Sequence, residues 1–176
     1  MSLFSEQLVE EYYNRRRFLT IRGAKQGVGE TDILAIRHQS TAVEGLHIEV
    51  QTSFRPVAFL SNGNAGAGSR TDEQVHEEMQ VWIHKKYLSP TKNTLRQSVW
   101  PGIAWRYIFV YARLKDEREL ESFRRAGIEL LLFEDVLRDI TLPTKKGGFT
   151  ASAGGDVSEI LRFYRDTHNQ NENVAS

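Results

Sequence analysis

The sequence predicts an α/β domain in which a mixed β-sheet is flanked by helices. The chain has 176 residues, the size of one domain on the usual range of roughly 100–200 residues. Its hydrophobic fraction of 40% is sufficient to build a core. The second half also contains a strand, a helix and a strand in succession. That order is typical of parallel strands joined by a crossover helix.

The composition excludes several classes of protein. The sequence contains no cysteine, so it has no disulfide framework, thiolate zinc site or cysteine nucleophile. No apolar run approaches the ~20 residues that span a bilayer, and the N-terminal residues lack the layout of a secretory signal. We therefore expect a soluble cytoplasmic protein with no membrane partner.

The first half of the chain predicts one helix followed by three strands. Residues 5–17 carry apolar side chains at helical spacing, with Ser5 able to cap the first turn. Residues 46–52 alternate between apolar and polar side chains, which is the pattern of a half-buried strand. The other segments are a strand at 18–22, a glycine-bearing loop at 23–29, a strand at 31–37 and a turn at 38–45.

The second half predicts alternating helices and strands. Residues 71–87 form a helix with Thr71 or Asp72 as its cap. An irregular segment that contains Pro90 and Pro101 follows this helix. The other segments are a strand extension at 56–60, a small-residue loop at 61–69, strands at 107–112 and 128–133, and helices at 116–126, 134–140 and 156–166.

We assign both halves to a single domain. Its core is expected to occupy residues 1–140, and residues 141–176 are expected to form a linker, a short helix and a loose tail. No internal repeat interrupts this organisation.

Basic residues are concentrated in one part of a chain whose formal net charge is zero. Residues 81–115 contain no Asp or Glu, and aromatic side chains lie between their cations. This combination suits phosphate contact and base stacking. Alternatively, the tryptophans are core residues and the lysines form a solvated face. The cations that we assign to nucleic-acid binding are Lys85, Lys86, Lys92 and Arg96 from this stretch and Lys25 from the glycine-bearing loop.

Two carboxylates are expected to meet on neighbouring strands. Asp32 lies at the start of one predicted strand and Glu49 lies on the next, with Gln51 on the same face. Adjacent carboxylates repel one another unless a cation lies between them, and hard oxygen ligands favour Mg²⁺ or Mn²⁺. The alternative is that these are exposed carboxylates paired with Arg22 or Arg37.

These residues resemble the PD-(D/E)xK nuclease superfamily, whose fold is that of many restriction enzymes. Gly-Glu-Thr-Asp-Ile-Leu-Ala at 29–35 is similar to the segment around the metal-binding Asp of that family. His-Ile-Glu-Val-Gln at 47–51 is similar to its Glu-x-Lys strand. The resemblance covers roughly residues 5–133 and matches the family's first-helix glutamate to Glu6. Glu10 and Glu11, on the same predicted helix, are alternative matches to that glutamate.

The resemblance implies a fold, a metal site and a reaction. The fold would be a restriction-endonuclease-like αβββαβ core with an added αβ unit. Asp32, Glu49 and the Val50 carbonyl would hold Mg²⁺ or Mn²⁺, and Glu6 would act on a second metal, directly or through water. The reaction would be Mg²⁺-dependent hydrolysis of DNA phosphodiesters. A homodimer is compatible with this reading.

The sequence departs from the family at Gln51, where family members normally have lysine. An amide cannot supply the positive charge, although it can hydrogen-bond the attacking water, and Lys25 is a candidate to replace the missing ammonium. The alternative function is a catalytically inactive nucleic-acid-binding or interaction domain on the same fold. A third option is a protein partner that uses the tryptophans as anchors.

Overall fold

A five-stranded mixed sheet with helices on both faces forms the centre of the protein. The computed structural model describes residues 2–27, 29–40, 42–52, 70–114, 116–142, 156 and 159–163. The α/β class and the mixed sheet are therefore confirmed, and the division of the chain at residue 140 stays a prediction.

The first four elements are one helix and three strands, as the sequence predicts. Their bounds are α1 at Ser2–Asn14, β1 at Leu19–Gln26, β2 at Gly29–Gln39 and β3 at Ala42–Gln51. The strands are longer than predicted because both connections are short hairpins. Most of the glycine-bearing loop and of the turn at 38–45 are therefore paired strand.

Between residues 70 and 142, the second half contains five helical segments and two strands in the described residues. Their bounds are α2 at Asp72–Ile83, a π-helix at His84–Leu88, α3 at Pro90–Val99, β4 at Trp105–Tyr111, α4 at Glu117–Arg125, β5 at Glu129–Leu132 and α5 at Phe133–Thr141. Thr71 caps α2 through a reciprocal pair of hydrogen bonds with Gln74, as a capping residue should. The strands and helices predicted between residues 107 and 140 are thus present.

The prediction of an irregular segment around Pro90 and Pro101 is wrong. Pro90 occupies the first turn of α3, where its missing N–H has no helical partner to lose. Pro101 lies just beyond the C-cap of the same helix, where a proline cannot continue it. The two prolines therefore bound a helix.

The strands follow one another across the sheet in chain order, β1-β2-β3-β4-β5. The pairs β1–β2 and β2–β3 are antiparallel, whereas β3–β4 and β4–β5 are parallel. The parallel pairs are those connected by helices, because a parallel pair needs a long crossover.

The two faces of the sheet carry different helices. On one face, α1 and α5 pack against buried residues such as Ile33, Ile48 and Val110. On the other face, α2 and α4 cover Phe109, and α3 covers Leu34. Both faces of β3 are therefore covered, and its polar residues 47 and 49 are buried instead of half-exposed as predicted.

The remaining sequence predictions concern the chain beyond these elements. Residues 156 and 159–163 are helical, within the helix predicted at 156–166. The strand extension at 56–60, the loop at 61–69 and most of the segment 141–155 lie outside the described residues. Among the residues that are described, none belongs to a helix with the length and apolar character of a membrane span.

Because Gly45 has no side chain, Ile103 and Trp105 can lie directly over β3. A Cβ atom at Gly45 would lie 2.5 Å from Ile103 Cδ1 and 3.0 Å from Trp105 Cε3. We expect Gly45→Ala to lower the free energy of unfolding by about 1–3 kcal/mol through overpacking. Chemical denaturation measures this, with Ala42→Val at the exposed start of the same strand as control. An unchanged free energy for Gly45→Ala would contradict the packing described.

Candidate functional site

Asp32 and Glu49 lie side by side on neighbouring strands. The β2–β3 ladder pairs Ile33 with Ile48, and the next pair in that register is Asp32 and Glu49. Asp32 Oδ2 accepts a hydrogen bond of 2.8 Å from the backbone N–H of Val50, where strand pairing ends. The sequence prediction that the hairpin brings these two carboxylates together is therefore confirmed.

A local break in the sheet lies on the other side of Asp32. The β1–β2 ladder pairs Arg22 with Ile33 and Ala24 with Thr31, but omits the intervening position of Gly23 and Asp32. Gly23 has a φ of +62°, in the left-handed region that glycine adopts without strain. The half-buried Asp32 thus lies where strand pairing is interrupted.

The Glu49 carboxylate is buried and receives three hydrogen bonds. Its exposure is 1%. Oε2 accepts from Lys86 Nζ at 2.6 Å. Oε1 accepts from Lys92 Nζ at 3.1 Å and lies 3.0 Å from Nε2 of His47. Two ammonium groups and an imidazole therefore replace the water that this carboxylate loses on folding.

The pKa values of the two carboxyl groups move in opposite directions. Burial raises the pKa of Glu49, but the His47 hydrogen bond and the charges of Lys86 and Lys92 outweigh it, so the net pKa is lowered. Burial and the negative charge of Glu49 together raise the pKa of Asp32 to about 6. Glu49 is thus ionised at neutral pH, while Asp32 carries an unfavourable charge.

Arg96 determines which nitrogen of His47 is protonated. The Arg96 Nη1 group lies 2.9 Å from Nδ1 of His47 and also donates to the carbonyl of Tyr87 at 2.7 Å. Because a guanidinium can only donate, Nδ1 must accept, which places the imidazole proton on Nε2. That N–H then donates to Glu49. Burial lowers the pKa of His47 to about 4, so the imidazole is neutral at pH 7.

The π-helix brings two consecutive side chains to the sheet. Lys86 reaches Glu49, and the hydroxyl of the next residue, Tyr87, donates to the carbonyl of Ile108 at 2.8 Å. Wide turns of this kind are frequent at functional sites. The Lys86 side chain remains 33% exposed, so it connects the buried Glu49 with solvent.

Glu6 and Gln51 lie at the border of this site. Glu6 is 8% exposed, and its negative charge contributes to the raised pKa of Asp32. Beside Glu6, Ser5 Oγ accepts a hydrogen bond from the hydroxyl of Thr52, which joins the start of α1 to the end of β3. Gln51 is half-buried on the Glu49 face of β3.

Several alternative partners proposed from the sequence are engaged elsewhere. Neither Arg22 nor Arg37 forms an ion pair with Asp32 or Glu49 among the described residues. Both substitutes for Glu6 are also in ion pairs with arginines. The pairs are Arg22 with Glu10 at 3.3 Å, Arg15 with Glu11 at 2.8 Å and Arg37 with Glu44 at 2.6 Å.

The five cations assigned to nucleic-acid binding fall into two groups. Lys92 and Arg96 are buried, with exposures of 5% and 3%, and donate hydrogen bonds inside the protein. This differs from the phosphate-binding surface that we expected for them. Lys85 is exposed, Lys86 is partly exposed, and the exposed Lys25 pairs with Glu30 at 3.2 Å. Lys25 therefore has a partner of its own near the hairpin.

The aromatic residues interleaved with these cations are mostly core. Tyr87 is fully buried, and Trp82 packs edge-on against Phe109 and another core ring. Trp105 is partly buried. Trp100 differs, because 41% of its surface is exposed. The core interpretation of the aromatics thus holds for three of the four residues considered.

The sequence did not predict that His47 is part of the site, or that Lys92 and Arg96 are buried beside it. His47 could have been found, because it lies two residues before Glu49 and shares its strand face. Lys92 and Arg96 lie on α3, which was not predicted. Without that helix, no pattern placed these two residues near Glu49.

The site offers few protein ligands for a metal ion. Within the described ranges, no group of three or more His, Cys, Asp or Glu side chains is placed to hold a metal ion. No protein-family model, curated protein or solved structure matches this chain. The function must therefore be argued from the site itself.

Asp32 and His47 are expected to have opposite effects on stability as the pH falls. The folded pKa of Asp32, about 6, lies above its ordinary value of 3.8, so acidification through this window stabilises the fold. The folded pKa of His47, about 4, lies below its ordinary value of 6.5, so acidification through that window destabilises the fold. The two contributions oppose each other between about pH 4 and 6.

Single variants should separate these contributions. We expect Asp32→Asn to raise the free energy of unfolding by about 1–3 kcal/mol at pH 8, and by nothing below about pH 4. His47→Gln should remove the loss of stability on acidification below pH 6.5. Urea unfolding with a chelator, at steps from pH 4 to 8, measures both. Parallel profiles for both variants and the parent protein would show that neither group is perturbed.

Proposed function

We propose that this protein is a metal-dependent nuclease that hydrolyses DNA phosphodiesters. The observation that carries the proposal is the adjacency of Asp32 and Glu49, with the Lys86 ammonium 2.6 Å from Glu49. Hydrolysis of a phosphodiester needs groups that hold a divalent metal and groups that stabilise negative charge on the phosphate. The two carboxylates suit the first requirement and Lys86 suits the second.

The donor set fits Mg²⁺ or Mn²⁺. Mg²⁺ is usually held by one or two carboxylates and completes its octahedron with water and substrate phosphate, so a cage of three protein ligands is not required. The raised pKa of Asp32 reflects burial and, in addition, repulsion from nearby carboxylates, and a divalent cation would relieve that repulsion. Asp32, Glu49 and the Val50 carbonyl would hold the ion. Glu6 lies near enough for its negative charge to act on Asp32.

Each residue then has a role in the reaction. A metal held by Asp32 and Glu49 would polarise the phosphodiester and lower the pKa of the attacking water. Lys86 stabilises the negative charge that develops on the phosphate and so supplies the ammonium missing at Gln51. Gln51 orients the water through its side-chain amide. Lys25 is less suited to the ammonium role, because it is exposed and paired with Glu30.

The order of elements supports the same proposal. A helix, three antiparallel strands, a crossover of helices and a parallel strand succeed one another. This is the order of the αβββαβ core of the PD-(D/E)xK superfamily. The unit of α4 and β5 would be the addition to that core.

A second candidate function is nucleic-acid binding without catalysis. It is favoured by the three hydrogen bonds on Glu49, because a carboxylate already neutralised by Lys86 and Lys92 gains less from a metal ion. In that case the ion cluster would only stabilise the fold. Metal-dependent cleavage distinguishes the two functions.

Cleavage should require both the metal and Asp32. We expect the purified protein to cleave single-stranded, duplex or branched DNA with Mg²⁺ or Mn²⁺, and to lose activity with a chelator or in Asp32→Ala. Gel analysis of labelled substrates measures this, with Asp135→Asn on the far helix α5 as control. No cleavage of any substrate, with salt-sensitive binding retained, would favour the non-catalytic domain.

Lys86 and Lys85 are adjacent lysines with different expected effects on rate. Lys86→Gln should lower kcat by about 100-fold or more, because it removes the ammonium that we propose stabilises charge on the phosphate. Lys85→Gln should change kcat little, since Lys85 is exposed and makes no contact with Glu49. Single-turnover cleavage rates test the pair. Equal rates for the two variants would remove Lys86 from the catalytic groups.

A further inference from the structure

A shallow groove lies on the same face of the sheet as the candidate site, beyond the C-terminal end of α3. Its volume is about 270 Å³. The apolar part of its lining comprises Leu19, Ile36, Val43 and Trp100. Leu19 and Trp100 are exposed by 68% and 41%, and they lie together in one apolar patch. We call this feature the Trp100 groove.

The rest of the lining of the Trp100 groove is basic. It comprises Arg17, Arg37 and His38, and none of the described residues that line the groove is acidic. Arg37 is held by Glu44 and by the ring of Phe18. By contrast, the Arg17 side chain makes no hydrogen bond or ion pair with any residue in the described ranges. The groove therefore presents one open guanidinium beside an exposed indole ring.

The backbone at Arg17 fixes where this side chain leaves the end of α1. Its φ of +64° lies in the left-handed region, which is unfavourable for a residue with a side chain. The residue ends the turn after α1, where its N–H donates to the carbonyl of Asn14 at 2.8 Å. This conformation holds Arg17 at the groove, next to Leu19.

An indole ring and an arginine beside it match the chemistry of a nucleotide in a single strand. Bases stack on exposed aromatic rings, and phosphates pair with arginine. Ile36 is four residues from Asp32 on the same face of β2, so the groove lies about 13 Å along the strand from the candidate site. Because α3 packs over Leu34 between them, the groove and the candidate site are two separate places on this face.

We propose that the Trp100 groove binds one base and the adjacent phosphate of a single-stranded nucleic acid, with the base on Trp100 and the phosphate on Arg17. The choice of nucleic acid as partner rests on the function proposed above. The acid-free lining supports an anionic partner over a second copy of this chain, which has no net charge.

Binding of a fluorescent oligothymidylate tests this proposal without requiring cleavage. The background is Asp32→Asn with a chelator present, and anisotropy gives the Kd. We expect Trp100→Ala to weaken binding by roughly 5- to 100-fold and Trp100→Phe to retain most of it. Arg17→Gln should reduce the slope of log Kd against log salt concentration by about one, the contribution of one phosphate contact. Controls are Ile160→Ala and Arg125→Gln, both exposed in the structure and outside the groove.

An abasic oligonucleotide separates stacking from phosphate contact. On this probe the effect of Trp100→Ala should vanish, while that of Arg17→Gln should persist. Circular dichroism verifies that each variant is folded. Unchanged binding in both groove variants would overturn the proposal. It would also be overturned if Trp100→Ala abolished self-association measured by sedimentation and left nucleic-acid binding intact, since a second copy would then occupy the groove.

The groove and the nuclease proposal can fail separately. If the parent protein cleaves DNA with Mg²⁺ but binds oligothymidylate independently of Trp100 and Arg17, the groove proposal is wrong and the nuclease stands. If no substrate is cleaved but binding depends on both residues, the nuclease is wrong and the groove stands.

Discussion

Burial of the Glu49 charge is the constraint on which the α2 and α3 face of the sheet depends. A carboxylate that is 1% exposed is unfavourable unless donors replace its lost water. Those donors come from β3, the π-helix and α3, which are far apart in the chain. The positions of these helices are therefore set by hydrogen-bond geometry as well as by apolar contact. The Arg96 contacts with His47 and Tyr87 extend the same network to the last turn of α3.

The same carboxylate is the proposed metal ligand, so one side chain serves both the fold and the chemistry. Asp32 differs from it, because its charge is unfavourable in the protein alone and gains from a bound cation. The two carboxylates therefore differ in their surroundings. Glu49 is fixed by Lys86, Lys92 and His47, whereas Asp32 remains available to a cation. Under the proposed function, such a site would be stable without the metal, and binding of the metal would relieve the repulsion that folding leaves behind.

The sheet and its two carboxylates could be predicted from sequence, whereas the cations around Glu49 could not. Alternation along residues 46–51 and the short connection to Asp32 are local patterns, and they determine strand identity and pairing. The burial of Lys92 and Arg96 depends on Glu49 and His47, more than 40 residues away in sequence. A buried lysine and a solvated one look alike in a single helix, and here the helix itself was missed because Pro90 suggested a break. The aromatic residues were ambiguous for the same reason, since only packing distinguishes Trp82 from Trp100.

The chain-ordered sheet has a consequence for how the protein folds. The β1–β2–β3 meander needs only local contacts, whereas β4 pairs with β3 across a long crossover, and local contacts form first. An early meander would place Asp32 beside Glu49 before Lys86 and Lys92 have arrived. Mutual repulsion would then oppose the hairpin that brings the two carboxylates together. Docking of the π-helix and α3 reduces that opposition, so the register of the N-terminal hairpin and the arrival of the crossover helices are coupled during folding.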